Sequence, residues 1–292
     1  MSFKRKSLGD NIFDIVNTVI LILIGLSMLA PFWHVVVRSV LPYDEAIKSS
    51  FVLFPKKTTF EAYKYILRSE RFVSSLGISF IVTVTGTVYQ LAMTTFAAFA
   101  LTKKTLPGRK LFFTMFIVTM FFNGGLIANY LLMRGLKMIN NVLVLILPFG
   151  ISCYNMLIIK SFFEGLPSDM EESARIDGAD TFRVFFSIIL PLSIPVVATF
   201  ALFFAVDRWN GWYNAMIYIN DKSKWPFVMV LREILISNDT ESMQSNYVNQ
   251  EYMVGDSIKM AAVIVSIFPV MIIYPFIQKY FVKGVTLGAV KG

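Results

Sequence analysis

The stretch that decides the fold is IVNTVILILIGLSMLAPFWHVVV, residues 15–37. It contains no Asp, Glu, Lys or Arg, and a helix needs about 20 mostly apolar residues to cross the hydrocarbon core of a membrane. Lys4, Arg5 and Lys6 precede it, as in a secretory signal peptide. The apolar run is too long for a signal peptide, and no small-residue cleavage site follows it. We therefore expect a retained membrane-spanning helix.

The composition of the whole chain agrees with this interpretation. Of 292 residues, 56% are hydrophobic and 16% are charged, whereas soluble domains are about a quarter charged. The single cysteine, Cys153, cannot form an internal disulfide. The apolar runs lack the period-two alternation of membrane strands. We expect an all-α integral membrane protein whose six transmembrane helices are Ile15–Val37, Phe72–Leu101, Leu111–Met133, Val142–Ile159, Phe185–Val206 and Met260–Ile277.

The basic residues indicate which loops face the cytoplasm. The short loop 102–110 carries four Lys and Arg residues, and short basic loops stay inside. We therefore expect both termini in the cytoplasm of a bacterial cell, with the chain crossing the inner membrane several times. The inner segments are then 1–14, 102–110, 160–184 and 278–292. The net charge of +8 is explained by membrane lipid with anionic head groups, and it does not indicate nucleic-acid binding.

The last outer segment is long, and it begins with a group of aromatic residues. These are Trp209, Trp212, Tyr213, Tyr218 and Trp225. Two interpretations stay open. The group is either an aromatic belt at the membrane interface or a surface that docks an extracellular partner or lines a sugar path, since the segment is longer than a connection needs to be.

Gly, Pro and Asn interrupt four of the expected spans. The breaks lie at Asn123-Gly124-Gly125, Pro148 with Gly150, Pro191 with Pro195, and Pro269 with Pro275. Each break alone is more often a packing accommodation, but breaks also suit hinges or a polar path. Our hypothesis for the residues on a substrate path is Asn123, Tyr154, Asn155, Trp209, Asn210 and Trp212.

The inner segment 164–184 reads EGLPSDMEESARIDGADTFRV and predicts a short, capped helix. Ser168 and Glu171 form a capping-box pattern, so the helix is expected to begin at Ser168. Gly178 suits a left-handed residue after its end. Asp180 or Thr181 can then cap the fifth span.

The expected helix has about two turns and a length of roughly 12 Å. Ser173 and Ala174 give it a patch of small side chains. Two interpretations remain: insertion into a cleft of another protein, or an amphipathic turn lying on the membrane surface.

The same segment carries a known signature. Glu172-Ser173-Ala174, then Gly178, Ile188 and Leu190-Pro191, resembles the permease motif of bacterial binding-protein-dependent importers of the ATP-binding cassette (ABC) class. That motif reads Glu-Ala-Ala, three residues, Gly, nine residues, Ile, one residue, Leu-Pro, and Ser173 is the one departure.

Other segments resemble the carbohydrate-uptake branch of these importers, namely Asp177-Gly178-Ala179, Pro195, Trp209-Asn210 and the tail 283–292. The tail is similar to that of the smaller permease subunit of maltose-type importers. Within the branch the chain looks closest to permeases for polysaccharides and uronate oligosaccharides, such as the smaller subunit of alginate importers.

The resemblance implies a type I ABC importer permease with one transmembrane domain over residues 1–292. Its parts are a coupling loop at 164–184, a long outer loop at 207–256 and a cytoplasmic tail at 278–292. Implied partners are a second homologous permease, two ATPase subunits that bind ATP and Mg, and a solute-binding protein that delivers an oligosaccharide. This chain itself needs no cofactor. The residues implied to couple to the ATPase are Glu172, Ser173, Ala174, Asp177, Gly178 and Ala179.

The motifs and charges that the chain lacks bear on other possible functions. The chain has no Gly-x-x-x-x-Gly-Lys-Ser/Thr motif, so an ATPase must be a separate chain, and one His with one Cys disfavours a metal site or a membrane enzyme. Spans without charges disfavour proton coupling. A sodium-coupled secondary transporter and a non-transporting structural subunit remain as alternatives. The first lacks the internal repeat expected of it, and the second has no use for the coupling signature.

Overall fold

The computed structural model describes residues 8–42, 45, 52–244 and 250–289, and these residues form helices and no strands. The α-helices are α1 (Leu8–Ser39), α2 (Glu61–Arg68), α3 (Glu70–Thr102), α4 (Arg109–Phe121), α5 (Gly125–Gly135), α6 (Cys153–Glu164), α7 (Ser168–Ile176), α8 (Thr181–Val184), α9 (Leu190–Leu192), α10 (Ile194–Trp209), α11 (Tyr213–Tyr218), α12 (Phe227–Gln244) and α13 (Gln250–Ala289). The chain also has 3₁₀ turns and a π turn, at Val142–Leu145, Leu147–Phe149, Lys222–Lys224 and Phe185–Ile189.

The chain divides into two compact units, one within residues 1–69 and 233–267 and the other within residues 70–232 and 268–292. The first unit contains α1, whose apolar side chains are almost all exposed. The end of α1 is fixed by polar contacts. The Trp33 indole donates to the Leu53 carbonyl at 2.8 Å, and the Ser39 and Tyr63 hydroxyls lie 2.7 Å apart. The long exposed face suits contact with lipid.

The second unit is built around α3, a helix of 33 residues. The second half of α3 packs in an apolar cluster against α6, the π turn and α10. Its members include Phe99, Ile159, Phe185 and Phe200, all buried. Aromatic rings dominate this cluster, with Phe99 and Phe185 at 5.0 Å between centroids. Such pairs add to the apolar burial that holds helices together.

The first half of α3 packs in a second apolar cluster. Here Val82 lies with the 3₁₀ turns at 142–149 and with α11, through the buried residues Val144, Ala215 and Ile219. The Phe227 N–H donates to the buried Ser79 hydroxyl at 2.7 Å, and its ring meets Phe72 edge-on. The start of the expected outer loop 207–256 is therefore folded onto α3 and is largely helical.

Three helical stretches are long and apolar enough to cross a membrane, namely Asn11–Ser39, Glu70–Thr102 and Asp256–Pro275. Three further pairs pass the same test but are bent, by 119° between α4 and α5, 46° between the 142–149 turns and α6, and 83° at the start of α10. The described chain thus has three candidate spans, or up to six if each bent pair is one span.

Each bend lies at a break that the sequence contains. Gly125, with φ +76°, follows Asn123 and Gly124 at the sharpest bend. Pro195 follows Ser193 at the start of α10. Proline removes a backbone donor and glycine adopts conformations that other residues avoid, which is how a helix changes direction. The expected spans Leu111–Met133 and Phe185–Val206 are thus each bent at a break that the sequence marks.

The last helix, α13, runs without interruption from Gln250 to Ala289. It includes Pro269 and Pro275. The expected boundaries of the outer loop 207–256, the sixth span and the tail 278–292 therefore fall inside one continuous helix, and residues 290–292 lie outside the described part of the chain.

Candidate functional site

The short helix expected in the inner segment is present as α7, Ser168–Ile176. Gly178 follows it with φ +82°. The Ala179 N–H donates to the Ala174 carbonyl at 2.9 Å, and the Gly178 N–H donates to Arg175 at 3.1 Å. This pair of bonds is the Schellman arrangement that ends a helix at a left-handed glycine. The prediction of a C-terminal cap at Gly178 is confirmed.

α7 begins at Ser168 as expected, but the expected capping box is absent. Pro167 is the residue before the helix, and no side chain caps it. The capping box of Ser168 and Glu171 is wrong, because the Glu171 carboxylate is hydrogen-bonded to other residues. The next helix, α8, does have the expected cap, since the Asp180 carboxylate accepts the Arg183 N–H at 2.8 Å.

Glu171 anchors α7 to the end of α3. Lys103, directly after α3, donates to both carboxylate oxygens of Glu171 at 2.6 and 2.5 Å. Arg175, one turn further along α7, donates at 2.9 Å. Burial raises the pKa of the Glu171 carboxyl, but the bonds and charges of Lys103 and Arg175 outweigh it and leave the pKa below 4.5. The carboxylate is therefore ionised at neutral pH, and α7 is tied to α3.

The two faces of α7 have different surroundings. Ala174 and Ala179 are partly buried and pack against the apolar cluster at the second half of α3. On the other face Glu172, Ser173, Asp177 and Gly178 are exposed. Of the six expected coupling residues, four thus lie on the open face and two support the helix from behind.

Sequence reasoning did not single out three large apolar residues in and near α7. Ile176 is 85% exposed, Phe182 is 67% exposed and Met170 is 45% exposed. Large exposed apolar side chains on a polar segment are candidates for an interaction surface. Their positions in a short segment otherwise rich in acids were the sequence feature that could have revealed them. We call the exposed residues 170–182 the docking face.

A groove of about 580 Å³ lies behind the docking face. Its wall is formed by the end of α3 and the following loop, by the end of α6 and by α7, and it includes Lys104, Glu164 and Pro167. The groove gives α7 free space on one side, so the tie between Lys103 and Glu171 is its main polar attachment to α3.

The residues expected on a substrate path have varied surroundings. The Asn123 side chain accepts the Gly125 N–H at 2.9 Å and so stabilises the bend between α4 and α5. Tyr154 is exposed and Asn155 partly buried, both in the first turn of α6. These three residues line neither the groove behind α7 nor the small cavity beside Trp209 described below.

Trp209, Asn210 and Trp212 lie together on the turn after α10. The Trp212 N–H donates to the Asn210 carbonyl at 2.9 Å. Trp209 is 7% exposed, and Trp212 is covered by the Arg232 guanidinium 3.7 Å from its ring centroid. The two tryptophans are therefore packed against protein, whereas Asn210 is exposed. An aromatic belt facing lipid does not describe Trp209.

Sequence reasoning also missed Arg208, which lies in the last turn of α10. Its guanidinium donates to the Leu145 carbonyl, to the Gln90 amide oxygen at 2.9 Å and to the Phe149 carbonyl at 3.1 Å. Gln90 is buried in the second half of α3. The expected spans contain no charged residue, but α10 places this cation against α3 within its apolar run 72–101. No signal within residues 185–206 could have shown this.

Comparison with known proteins identifies the family. The sequence model of the family described as "Binding-protein-dependent transport system inner membrane component" matches residues 90–287. The chain belongs to this family.

Relatives in this family cover nearly the whole chain. Protein LplC of Bacillus subtilis (strain 168) is 41% identical over 97% of this chain and 96% of its own length. The polygalacturonan/rhamnogalacturonan transport system permease protein YtcP of the same organism is 38% identical over 97% of this chain and 99% of its own.

A solved structure has the same fold. A chain in the crystal structure of a bacterial ABC transporter involved in the import of the acidic polysaccharide alginate is similar with a TM-score of 0.84 and 31% identity. The similarity covers 95% of this chain and 99% of that chain. The resemblance to ABC importer permeases is confirmed, and the fold of this inner membrane component is that of an ABC importer permease.

Proposed function

We propose that the chain is the transmembrane subunit of an ATP-driven, binding-protein-dependent importer of oligosaccharides. It forms half of the translocation path, and a second, related permease forms the other half. Two ATPase subunits bind ATP and Mg, and a solute-binding protein delivers the sugar outside the bacterial inner membrane. Family membership supports this assignment, and the names of the relative YtcP and of the structural neighbour point to sugars.

The observation that carries the proposal is the docking face on α7. A nine-residue helix has little stability of its own, yet α7 is fixed at both ends, by Glu171 with Lys103 and by the turn at Gly178. Its outer face is left open, with Ile176 85% exposed. In our proposal this face enters a cleft of the ATPase, and the tie to Lys103 transmits its movement to α3.

The topology we propose has six spans and both termini in the cytoplasm. The pair of Lys103 and Glu171 supports it, since it joins the expected inner loop 102–110 to the expected inner segment 160–184. Asn140 supports it at the other end. Its N–H donates to the Tyr218 carbonyl at 2.8 Å, and its side chain accepts the Asp221 N–H at 2.9 Å. These contacts join two expected outer segments.

We propose an acidic oligosaccharide as the substrate, of the uronate type. The support is the polygalacturonan/rhamnogalacturonan permease YtcP and the importer of the acidic polysaccharide alginate. The outer segment 207–256 is proposed to contact the binding protein, and the tail 278–292 to contact the ATPases. Asn123, Tyr154, Asn155, Trp209, Asn210 and Trp212 remain proposed path residues.

The test is reconstitution of the complete complex in proteoliposomes. We expect sugar-loaded binding protein to stimulate ATP hydrolysis and to drive uptake of labelled oligosaccharide. Uptake that follows a sodium gradient and ignores ATP would contradict the proposal and favour a secondary transporter. A complex that assembles but moves no sugar with any loaded binding protein would favour a structural subunit.

A further inference from the structure

A polar stripe follows one face of α3 through the middle of its apolar run. Thr83, Thr87, Gln90 and Thr94 are spaced by four, three and four residues, which places them on one face of a helix. The Thr94 hydroxyl donates to the Gly150 carbonyl at 3.4 Å, and Gln90 accepts a bond from Arg208. The Thr83 and Thr87 hydroxyls are buried and have no hydrogen-bond partner among the described residues.

Arg208 faces this stripe with donors unused, because its guanidinium carries five N–H donors and makes three hydrogen bonds within the described chain. Its three hydrogen-bond acceptors are uncharged, namely two backbone carbonyls and the Gln90 amide. Its Nε is buried and has no partner within the described chain. The acid nearest in sequence, Asp207, is exposed and attracts the guanidinium through space. The cation therefore lies beside the middle of α3 without a carboxylate in contact.

Gly86 explains how the guanidinium fits against α3. A Cβ at this position would lie 3.4 Å from both Cδ and Nε of Arg208. The Nε side of the guanidinium therefore faces a helix surface that has no side chain. Carboxylates engage arginine in a bidentate manner along an edge of the guanidinium, and Nε supplies a free donor on one such edge.

Trp209 lies beside the polar stripe and Arg208. Its ring and Thr83 line a cavity of about 40 Å³ whose remaining walls are apolar, between α3, α10 and Pro269 of α13. This space is too small for a sugar ring. Binding of a sugar here therefore accompanies separation of α10 from α3, which exposes Trp209, the two free hydroxyls and Arg208 together.

Unpaired buried donors are rare, because each costs stability, and a charge held against the apolar run of a spanning helix is by default functional. We propose that Thr83, Thr87, Gln90 and Arg208 form a sugar-acid site in the translocation path, in which Arg208 binds the carboxylate of a uronate residue, the threonine and glutamine side chains pair with its hydroxyls, and Trp209 packs on the apolar face of the ring. This inference rests on the proposed function as an importer of oligosaccharides. Arg208 then selects acidic over neutral sugars in this chain, independently of the binding protein.

The test compares trigalacturonate with the same trisaccharide after reduction of its carboxylates to alcohols. Both are offered to the reconstituted complex with one binding protein, so that the selectivity of the binding protein is common to all variants. In Arg208→Gln we expect the rate of uptake at low sugar concentration to fall by about tenfold or more for the acid. The reduced sugar should change by less than about twofold, since it makes no ion pair.

The matched control is Arg109→Gln. Arg109 also donates to a backbone carbonyl, that of Leu101 at 2.7 Å, and has an ion pair with Glu164 at 3.5 Å, but it lies outside the stripe. We expect Arg109→Gln to retain the preference for the acid. Arg208→Lys keeps the charge without the planar fork, and we expect it to weaken uptake of the acid several-fold more than that of the reduced sugar.

The outcomes separate the two proposals. A wild-type complex that takes up neither sugar contradicts the proposed function and this inference with it. A wild type that prefers the acid, with Arg208→Gln lowering both sugars by the same factor, overturns the inference alone. If Arg208→Gln does not assemble, the uptake of the two sugars by Arg208→Lys tests the inference instead. An equal loss for both sugars then assigns Arg208 a purely structural role and overturns the inference.

Discussion

The tie between Lys103 and Glu171 makes the sharpest prediction about coupling. Lys103→Glu places two carboxylates where an ion pair of 2.5–2.6 Å now holds α7 to α3. We expect the variant to insert, to assemble and to hydrolyse ATP. The number of sugars moved per ATP should fall several-fold, because movement of α7 no longer reaches α3 through this contact.

The size of the effect follows from the exposure of the pair. The Lys103 and Glu171 side chains are 17% and 24% exposed. Fully exposed pairs contribute about 0.2–1 kcal/mol, and hydrogen bonds to charged groups about 1.5–3 kcal/mol. We therefore assign the tie about 1–2 kcal/mol, and charge reversal adds a repulsion of similar size. Such a change is large enough to loosen a nine-residue helix and too small to unfold the protein.

The assay is parallel measurement of uptake and ATP hydrolysis in proteoliposomes. The double variant Lys103→Glu with Glu171→Lys restores opposite charges, and we expect it to recover at least half of the wild-type ratio. Recovery stays incomplete because the new lysine faces Arg175, which lies 2.9 Å from Glu171 and whose side chain is 49% exposed. A wild-type ratio in Lys103→Glu, or no recovery in an assembled double variant, would refute the reasoning.

The pH dependence gives an independent measurement. The pKa of Glu171 is lowered in the folded protein from 4.5, so its contribution to stability is present above that value and is lost as the pH falls through the folded-state pKa. We expect the difference in Tm between wild type and Glu171→Gln to be constant near neutral pH and to shrink below pH 4.5. A difference that does not change on acidification would contradict the assigned ion pair.

Three further predictions concern the docking segment. Gly178→Val forces a β-branched residue to φ +82°, which costs about 1–2 kcal/mol, and we expect an inserted protein with reduced uptake per ATP. Gly178→Asn should remain close to wild type, because asparagine tolerates this conformation. Normal uptake by the valine variant would count against coupling through α7. Glu172→Cys, on the open face, should crosslink to a cysteine in the ATPase cleft in assembled complexes, and the half-buried Ala174→Cys much less; equal yields would mean that α7 docks by another face. Asp180→Ala removes the side chain that accepts the Arg183 N–H and caps α8, and it should lower the free energy of unfolding by about 1 kcal/mol. The measurement is a lower Tm, which Asp180→Asn should largely restore.

The parts of the fold that the sequence predicted well are those that depend on neighbouring residues. Gly178 and Asp180 each end or begin a helix through bonds within a few residues. Ser168 was wrongly assigned as a cap because Glu171, its expected partner, is held by Lys103 from a distant part of the chain. A local pattern states which bonds are available, and only the packed structure decides which of them form.

The bends were predicted in place and not in size. Asn123-Gly124-Gly125 marks a break on composition alone, but the 119° change of direction depends on what α4 and α5 pack against. The same limit applies to the docking face. Ile176 and Phe182 look like ordinary apolar residues of an amphipathic segment until the structure shows them 85% and 67% exposed.

Arg208 shows why a broken span and a buried charge have to be considered together. The 3₁₀ turns at 142–149 do not form regular α-helical hydrogen bonds, and free carbonyls inside a membrane need donors. A lone guanidinium beside α3 needs acceptors for the same reason. Leu145 and Phe149 accept from Arg208, so each feature removes much of the cost of the other. The sequence shows a proline-containing break and, about 60 residues later, an arginine beyond an apolar run. Neither feature predicts the other, because the packing of α10 against α3 and the 142–149 turns brings them into contact. Any movement that breaks the contact leaves both unpaired, and a ligand carboxylate, which only accepts hydrogen bonds, would pair with the guanidinium and not with the carbonyls.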